Sequence, residues 1–443
     1  MGGRFTILRH SKTQNTSNVK KNGIEMKIQR NIYLKQLVDG MGNGMVKVVT
    51  GLRRCGKTYL LTTLFHEYLL SQGVREDHIL EVALDVWGNR ELRKPDALLG
   101  YVNSRLTGNG VHYLVIDEVQ MLEHFEEVMN SLLHMRDLDV YVTGSNSRFL
   151  SSDVITEFRG RGDEIRIHPL CYREFVSAFP EENENTWEEY LTYGGMPSVL
   201  SLPSPQKKSE YLLHLVRNVF MTDIRDRRKV RNEAELEELL EVLFSSVGSL
   251  VNPRKLANTF LSVKGKKIEQ RTLGKYMLYL QEAFLMSRCR RFDIKGRKYI
   301  STPAKFYAED VGLRNAMLGF RQVEYSHLME NILFNELRTR GFEVDVGVVP
   351  LNVRDSDGRH SVRRLEIDFV ANRGNRRYYV QSALDMPTAE KRNQEERPFA
   401  HIPDTFRKII VTGDNFGPRL NDRGIMTMGI RKFLLDANSL DAM

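Results

Sequence analysis

Read from the amino end, apolar and polar residues first fall into a regular order at Met26. From there to about Pro205, short apolar runs alternate with longer stretches whose apolar residues recur at helical spacing. The short runs are Val46 to Thr50, Ile79 to Asp85, Tyr113 to Asp117, Val140 to Thr143 and Ile165 to Ile167. Each has the length of a buried strand, and strands alternating with helices predict an α/β fold with a parallel sheet covered by helices. Farther on, Glu233 to Ser245 repeats leucine and valine beside acids with a helical period, which predicts an amphipathic helix. NPRKLANTF and RTLGKYMLYLQEAFL predict two more helices, and MSRCRRFDIKGRKYI a β-hairpin turning at Lys295 and Gly296. Helix, helix, then β-wing is the order of a winged helix-turn-helix. The last part opens near Arg321 with the helix SHLMENILFNELRTRG, followed by strands LEIDFVAN and RYYVQSAL on either side of a turn at Arg373 to Asn375.

A chain of 443 residues is longer than one core usually spans. The patterns divide it into a first α/β part over 26–205, a helical and winged-helix module over 206–320, and a C-terminal α/β domain over 321–443. The stretch SLPSPQKK, Ser201 to Lys208, marks the first internal edge. Residues 1–25 are polar, basic and short of acids, and predict a disordered tail. A transit peptide shares that composition, and a start codon placed upstream of Met26 explains it as well.

Candidate chemistry begins where the first apolar run meets GLRRCGKT, Gly51 to Thr58, and a helix-like run from Tyr59 to Leu70 follows. Strand, glycine loop, helix is the setting of a phosphate-binding P-loop, and the cradle comprises Gly51, Leu52, Arg53, Arg54, Cys55, Gly56, Lys57, Thr58 and Tyr59. In such a loop Gly51 and Gly56 let backbone N–H groups close around phosphates, Lys57 reaches the β and γ phosphates, and Thr58 ligates Mg²⁺. The third run, HYLVIDEVQ, brings Asp117 and Glu118 out at the carboxyl end of a strand, in the manner of a Walker B motif. Asp117 then holds Mg²⁺ through water, and Glu118 orients or deprotonates the attacking water. The alternative for a lone acidic pair is a helix N-cap. The fourth run, VYVTGSNS, offers Ser145 or Asn146 to the γ phosphate or the water. Arg159 and Arg161 stand in the loop before the fifth run, either as an arginine finger or as a solvated basic loop.

GLRRCGKT, YLVIDEVQ, VTGSNS, GRGDEIRIHPLCYREF and YLTYGGMPSVL together resemble bacterial and archaeal AAA-like ATPases that carry a C-terminal domain of unknown function related to PD-(D/E)xK nucleases. The resemblance runs from about Met26 to the end and implies ATP and Mg²⁺ as ligands, a P-loop NTPase core, a winged helix and a degenerate nuclease-like end domain. In that end domain Glu330 shares a helix face with Leu333, Phe334 and Leu337, and alternation places Glu366 and Asp368 on one face and Gln381 and Ala383 on one face. If the two strands pair, Asp368 lies nearly opposite Gln381. The PD-(D/E)xK arrangement uses acids for a divalent metal and a lysine for the water. Here Gln381 stands for the second acid and Ala383 for the lysine, with Lys391 as a candidate replacement, and the expectation is a nuclease fold without nuclease activity.

The net charge of +8 is modest, yet it clusters. Lys264, Lys266, Lys267 and Arg271 lead into the second helix of the module, and Arg288, Arg290, Arg291, Lys295, Arg297 and Lys298 mark its wing. Such clusters suit phosphate contacts with DNA, while a solvated face or a protein-docking module carries the same charges. DNA, a protein partner and further copies of the chain are therefore the candidate macromolecular partners. Three separated cysteines, Cys55, Cys171 and Cys289, form no metal spacing and no disulfide framework, which points to a reducing cytoplasm, and Cys55 offers a thiol reagent a way into the P-loop. No apolar run approaches the roughly 20 residues of a membrane span. The reading that follows is a cytoplasmic Mg²⁺-dependent ATPase. The alternatives are a nucleotide-regulated DNA-binding switch with little turnover and an ATP-coupled nuclease.

Overall fold

The computed structural model describes residues 19–21, 24–144, 160–321, 324–354 and 360–442. They fall into two compact units, Met1–Ile167 and His168–Met443. Ser145, Asn146 and Arg159 lie outside the described residues.

The first unit opens with a two-stranded antiparallel hairpin, β1 (Val19–Lys21) and β2 (Ile24–Met26), where the sequence predicts a disordered tail. The missed signal is the dipeptide Asn22-Gly23, a strong hairpin marker when β-formers flank it. After the helix Asn31–Asp39 come five strands: β3 (Val46–Gly51), β4 (Ile79–Ala83), β5 (His112–Asp117), β6 (Leu138–Thr143) and β7 (Gly162–Ile167). All five are parallel, in the order β4–β5–β6–β3–β7. These are the five apolar runs of the sequence. β3 and β5 are buried along their whole length, which is why they read as continuous apolar runs rather than alternating ones. Val48, Leu114, Ile116, Val140 and Val142 form the core with Leu98 and Val102 from the helix Pro95–Arg105 and Phe125, Val128 and Leu132 from the helix Phe125–Leu133. Lys47 breaks the β3 run, and its buried ammonium is neutralised by Asp139 on β6.

The second unit is built on a nine-stranded sheet in the order β15–β16–β14–β13–β12–β11–β9–β10–β8. Its strands are β8 (Leu250–Val251), β9 (Met286–Asp293), β10 (Lys298–Ala308), β11 (Glu343–Arg354), β12 (His360–Arg373), β13 (Arg376–Ala383), β14 (Arg407–Thr412), β15 (Arg419–Leu420) and β16 (Ile425–Gly429). The expected helices are present as Glu233–Ser245, Pro253–Lys264 and Gln270–Glu282, followed by the hairpin β9–β10. β8 pairs with β10, and β9 pairs in parallel with β11, so the hairpin is continuous with the C-terminal strands. The helix Tyr325–Thr339 covers one face of the sheet. Phe292, Ile294, Ile367, Tyr379, Ala383, Phe399 and Ile410 make a core elsewhere in it.

The YGGMP and PLCYREF stretches meet around a buried turn of this unit. Leu170 and Gly195 are joined by a backbone hydrogen bond of 2.8 Å, and a Cβ on Gly195 would lie 2.1 Å from the Leu170 carbonyl oxygen. The Gly195 N–H donates to the Asp310 carboxylate at 2.6 Å. Only glycine allows this approach.

Candidate functional site

The P-loop follows directly from β3. Gly51 has φ +136°, and a Cβ there would stand 2.2 Å from the carbonyl oxygen of Ile167 at the end of β7, so both backbone geometry and space demand glycine. Gly56, at φ 103°, caps the helix that begins Lys57–Tyr59 and continues as Leu60–Phe65 and His66–Ser71, its middle part wound as a π-helix. Lys57 is buried, and its ammonium donates to the carbonyls of Gly51 at 3.1 Å and Leu52 at 3.0 Å. It is thereby folded into the loop it belongs to. Leu52, Cys55 and Tyr59 are buried, whereas Arg53 and Arg54 are exposed. The full burial of Cys55 corrects the expectation of ready thiol access, and burial also pushes the Cys171 and Cys289 thiols well above their ordinary pKa. Arg30, just before the helix Asn31–Asp39, reaches the loop from the other side and donates to the Cys55 carbonyl at 3.2 Å, its guanidinium 4.7 Å from the centre of the Tyr33 ring.

Behind the loop, the Thr58 hydroxyl donates to the Asp117 carboxylate at 2.9 Å. Asp117 is buried at the end of β5, and burial raises its pKa while the hydroxyls of Thr143 and Thr58 oppose the rise. Thr143, the last residue of β6, donates its hydroxyl proton to Asp117 and accepts the Glu118 N–H at 3.0 Å. One side chain thus holds the Asp117 carboxylate and the backbone of Glu118. Glu118 has φ 55°, a left-handed conformation that costs a non-glycine residue about 1–3 kcal/mol and is held where a site needs it. The Gln120 amide donates to its carboxylate.

The sequence-predicted set is therefore brought together at Gly51, Gly56, Lys57, Thr58, Asp117 and Glu118, but not at Arg161. The Arg161 carbonyl accepts from the Val46 N–H at 2.9 Å, and β7 runs parallel to β3, so Arg161 lies at the opposite end of the strands from the loop after Gly51. A strand of that length spans about 17 Å at 3.3 Å per residue, beyond the reach of an arginine finger within the same unit. Sequence reading missed Thr143, Gln120 and Arg30. A threonine closing a strand at the same edge as Asp117 was the available signal for Thr143. Thr58 and Asp117 supply hydroxyl and carboxylate oxygens, the hard donors Mg²⁺ takes, and this pair fits the ion.

A second polar cluster lies in the other unit. Glu330, Glu366 and Asp368 do converge, as expected, but around Lys305 of β10, whose ammonium lies 2.9, 2.9 and 3.3 Å from their respective carboxylates. Asp368 also accepts the Ser382 N–H at 2.9 Å, and its own N–H donates to Gln381 at 3.3 Å. Gln381 then turns its amide to Glu395 at 3.0 Å and brings no further oxygen to Lys305. Ala383, expected at the water-orienting position, is a core residue beside Tyr379 and Ile367. Lys391 does not replace it, because it pairs with Glu395 at 2.6 Å. Among the described residues no trio of His, Cys, Asp or Glu is arranged to hold a metal ion.

The basic cluster of the module is partly neutralised. Lys264 and Lys266 pair with Glu238, Lys264 also with Glu241, and Arg290 with Asp345, while Arg288 and Lys295 donate to the carbonyls of Ser301 and Pro350. Lys267, Arg271, Arg297 and Lys298 are exposed and form no ion pair among the described residues.

A parallel five-stranded α/β sheet with a P-loop after β3 and two acids after β5, the strands separated by β6, defines an AAA-like ATPase domain. Residues 43–176 match the AAA domain family, and residues 184–324 match a domain of unknown function, DUF8612. The chain is 32% identical over 392 residues to an uncharacterized protein of Haemophilus influenzae, an alignment covering 87% of this chain and 93% of that one, and it belongs to the same family. It is also 27% identical over 331 residues to an uncharacterized protein of Methanocaldococcus jannaschii, covering 71% of this chain and 70% of that one. Among solved structures, the Walker-type ATPase PABY2304 of Pyrococcus abyssi is similar at 15% identity with a TM-score of 0.47, over 68% of this chain and 98% of that one. No helix among the described residues is long and apolar enough to cross a membrane.

Proposed function

We propose that this chain binds ATP with Mg²⁺ and hydrolyses it, and that the nucleotide state is coupled through residues 168–443 to binding of DNA or a protein partner. Lys57 and the backbone of the loop hold the phosphates, Thr58 and Asp117 hold the ion, and Glu118 orients the attacking water. Bound Mg²⁺ supplies charge neutralisation at the β and γ phosphates. The observation that carries the reading is the hydroxyl of Thr143, which fixes Asp117 and the backbone of Glu118 together behind the P-loop. The proposed winged helix, over Glu233–Ser245 to β10, presents Lys267, Arg271, Arg297 and Lys298 to phosphates.

The two acids and the lysine have separable roles, which gives the test. Lys57→Ala should lose nucleotide binding, whereas Glu118→Gln should keep ATP bound and lose about 10²- to 10⁴-fold in turnover, the usual worth of a positioned general base. Nucleotide binding by fluorescence and single-turnover hydrolysis measure the two. A Glu118→Gln protein that turns over ATP at the parent rate removes that residue from the mechanism. A slow nucleotide switch is the second reading, favoured by the Gln120 amide that engages the Glu118 carboxylate. It predicts bound ATP with no ADP formed over minutes in the parent protein.

A further inference from the structure

We infer that Lys305 is a built-in cation occupying the centre of the Glu330, Glu366 and Asp368 cluster, so that the C-terminal α/β domain needs no divalent metal and has no lysine available for hydrolysis. The inference stands apart from the ATPase reading and rests on the second unit alone.

An ammonium has three N–H donors, and here three carboxylates stand within reach of them, at 2.9, 2.9 and 3.3 Å. No donor remains to orient a water. The side chain is 4% exposed, and the backbone fixes its place, since Lys305 pairs with Cys289 on β9 and Leu250 on β8. The carboxylates are held as firmly. Tyr307 donates to Glu330 at 2.6 Å, the Ser382 N–H to Asp368 at 2.9 Å, and Gly248, at φ 76°, closes on the other Glu330 oxygen, where a Cβ would come within 2.9 Å. A divalent ion entering this cluster would sit against the ammonium and would have to expel it. A metal therefore does not fit the chain as it stands, and removal of Lys305 would leave three carboxylates, hard oxygen donors without their counter-ion.

The test uses the full chain, free of nucleotide, and Mn²⁺ as the probe, with binding read by electron paramagnetic resonance of the free ion. The informative quantity is the binding abolished by Asp368→Asn, which leaves aside any Mn²⁺ held at the P-loop. In the parent chain that quantity should be nil. In Lys305→Met it should appear, because the competing charge is gone. The thermal midpoint of Lys305→Met should fall without metal, where three carboxylates lose their counter-ion, and rise again with Mn²⁺. A parent chain with a Mn²⁺ site that Asp368→Asn removes would overturn the inference, as would a folded Lys305→Met protein that gains none. Should Lys305→Met fail to fold, the parent measurement decides alone. Incubation of the parent with linear, circular and single-stranded DNA in Mg²⁺ and in Mn²⁺ adds an independent readout: no cleavage is expected, and cleavage lost in Asp368→Asn overturns it.

Discussion

Thr143 and Lys305 are the two residues that reorganise the chemistry, and neither announces itself in the sequence. Glycines and a lysine at fixed spacing are legible because backbone sterics and phosphate charge admit few substitutes, which is why Gly51, Gly56 and Lys57 stood out. Thr143 reads as any β-branched strand residue, and Lys305 as a single base between Ala304 and Phe306, because their roles come from partners 25 to 63 positions away. Alternation was enough to set Asp368 against Gln381, but not to show that Ala383 packs in the core beside Tyr379 and Ile367. Thr143→Val keeps the shape of the side chain and removes its hydroxyl. Asp117 then loses a donor, and the Glu118 N–H is left without its acceptor. Hydrogen bonds to charged groups contribute about 1.5–3 kcal/mol, so turnover should fall about ten- to a hundred-fold. Steady-state ATPase kinetics of Thr143→Val beside Thr143→Ser, which should retain most activity, test the role. Equal rates for valine and serine would assign Thr143 to packing.

Elements were legible where burial is complete. The five parallel strands of the first unit were read from apolar runs because both faces of β3 and β5 are covered. The long hairpin β11–β12 was only partly legible, since its outer half is exposed and its register shifts between Asp345 and Gly347. The buried turn at Gly195 makes a pH-dependent prediction. Burial pushes the Asp310 carboxyl up to about 6 from its ordinary 3.8, against the N–H groups of Gly195 and Leu313 that favour its charged form. The folded state therefore holds the proton more tightly than the unfolded one. Stability from this group is fully present below about pH 4 and declines as pH rises through about 6, by about 3 kcal/mol at 1.4 kcal/mol per unit. Urea unfolding of parent and Asp310→Asn between pH 4.5 and 7 isolates the term as the difference of the two slopes. Equal slopes would show that Asp310 titrates normally.

The proposed winged helix makes a prediction at the same scale, sharpened by which of its bases are already paired. Each cation that displaces a counter-ion from duplex DNA adds about 0.9 to the salt dependence of log affinity. Lys267→Ala with Arg271→Ala should weaken duplex binding by the full chain and lower that slope by about 2, whereas Lys264→Ala, whose ammonium faces Glu238 and Glu241, should leave it unchanged. Fluorescence anisotropy from low to moderate salt measures both. Unchanged slopes in the double variant would leave the helices and hairpin as a protein-docking module.

At the scale of the whole molecule the question is whether the nucleotide unit and the sheet of the second unit act on each other. Coupling between two binding sites is a free energy, and it is reciprocal: a factor by which DNA raises affinity for ATP must equal the factor by which ATP raises affinity for DNA. Typical couplings of 1–3 kcal/mol correspond to about 5- to 150-fold. The Glu118→Gln chain is the suitable reagent, because it should hold ATP without consuming it and so permits equilibrium measurement of all four legs of the cycle. The expectation is that ATP and duplex DNA each shift the dissociation constant of the other by the same factor of at least about five, and that Lys57→Ala abolishes the shift while leaving nucleotide-free DNA binding intact. Equal and opposite legs with no shift in either would mean that the two units bind independently, and that ATP turnover serves a partner other than DNA. DNA binding lost in Lys57→Ala without nucleotide would instead place Lys57 in contact with the nucleic acid, against its assignment to the phosphates of ATP.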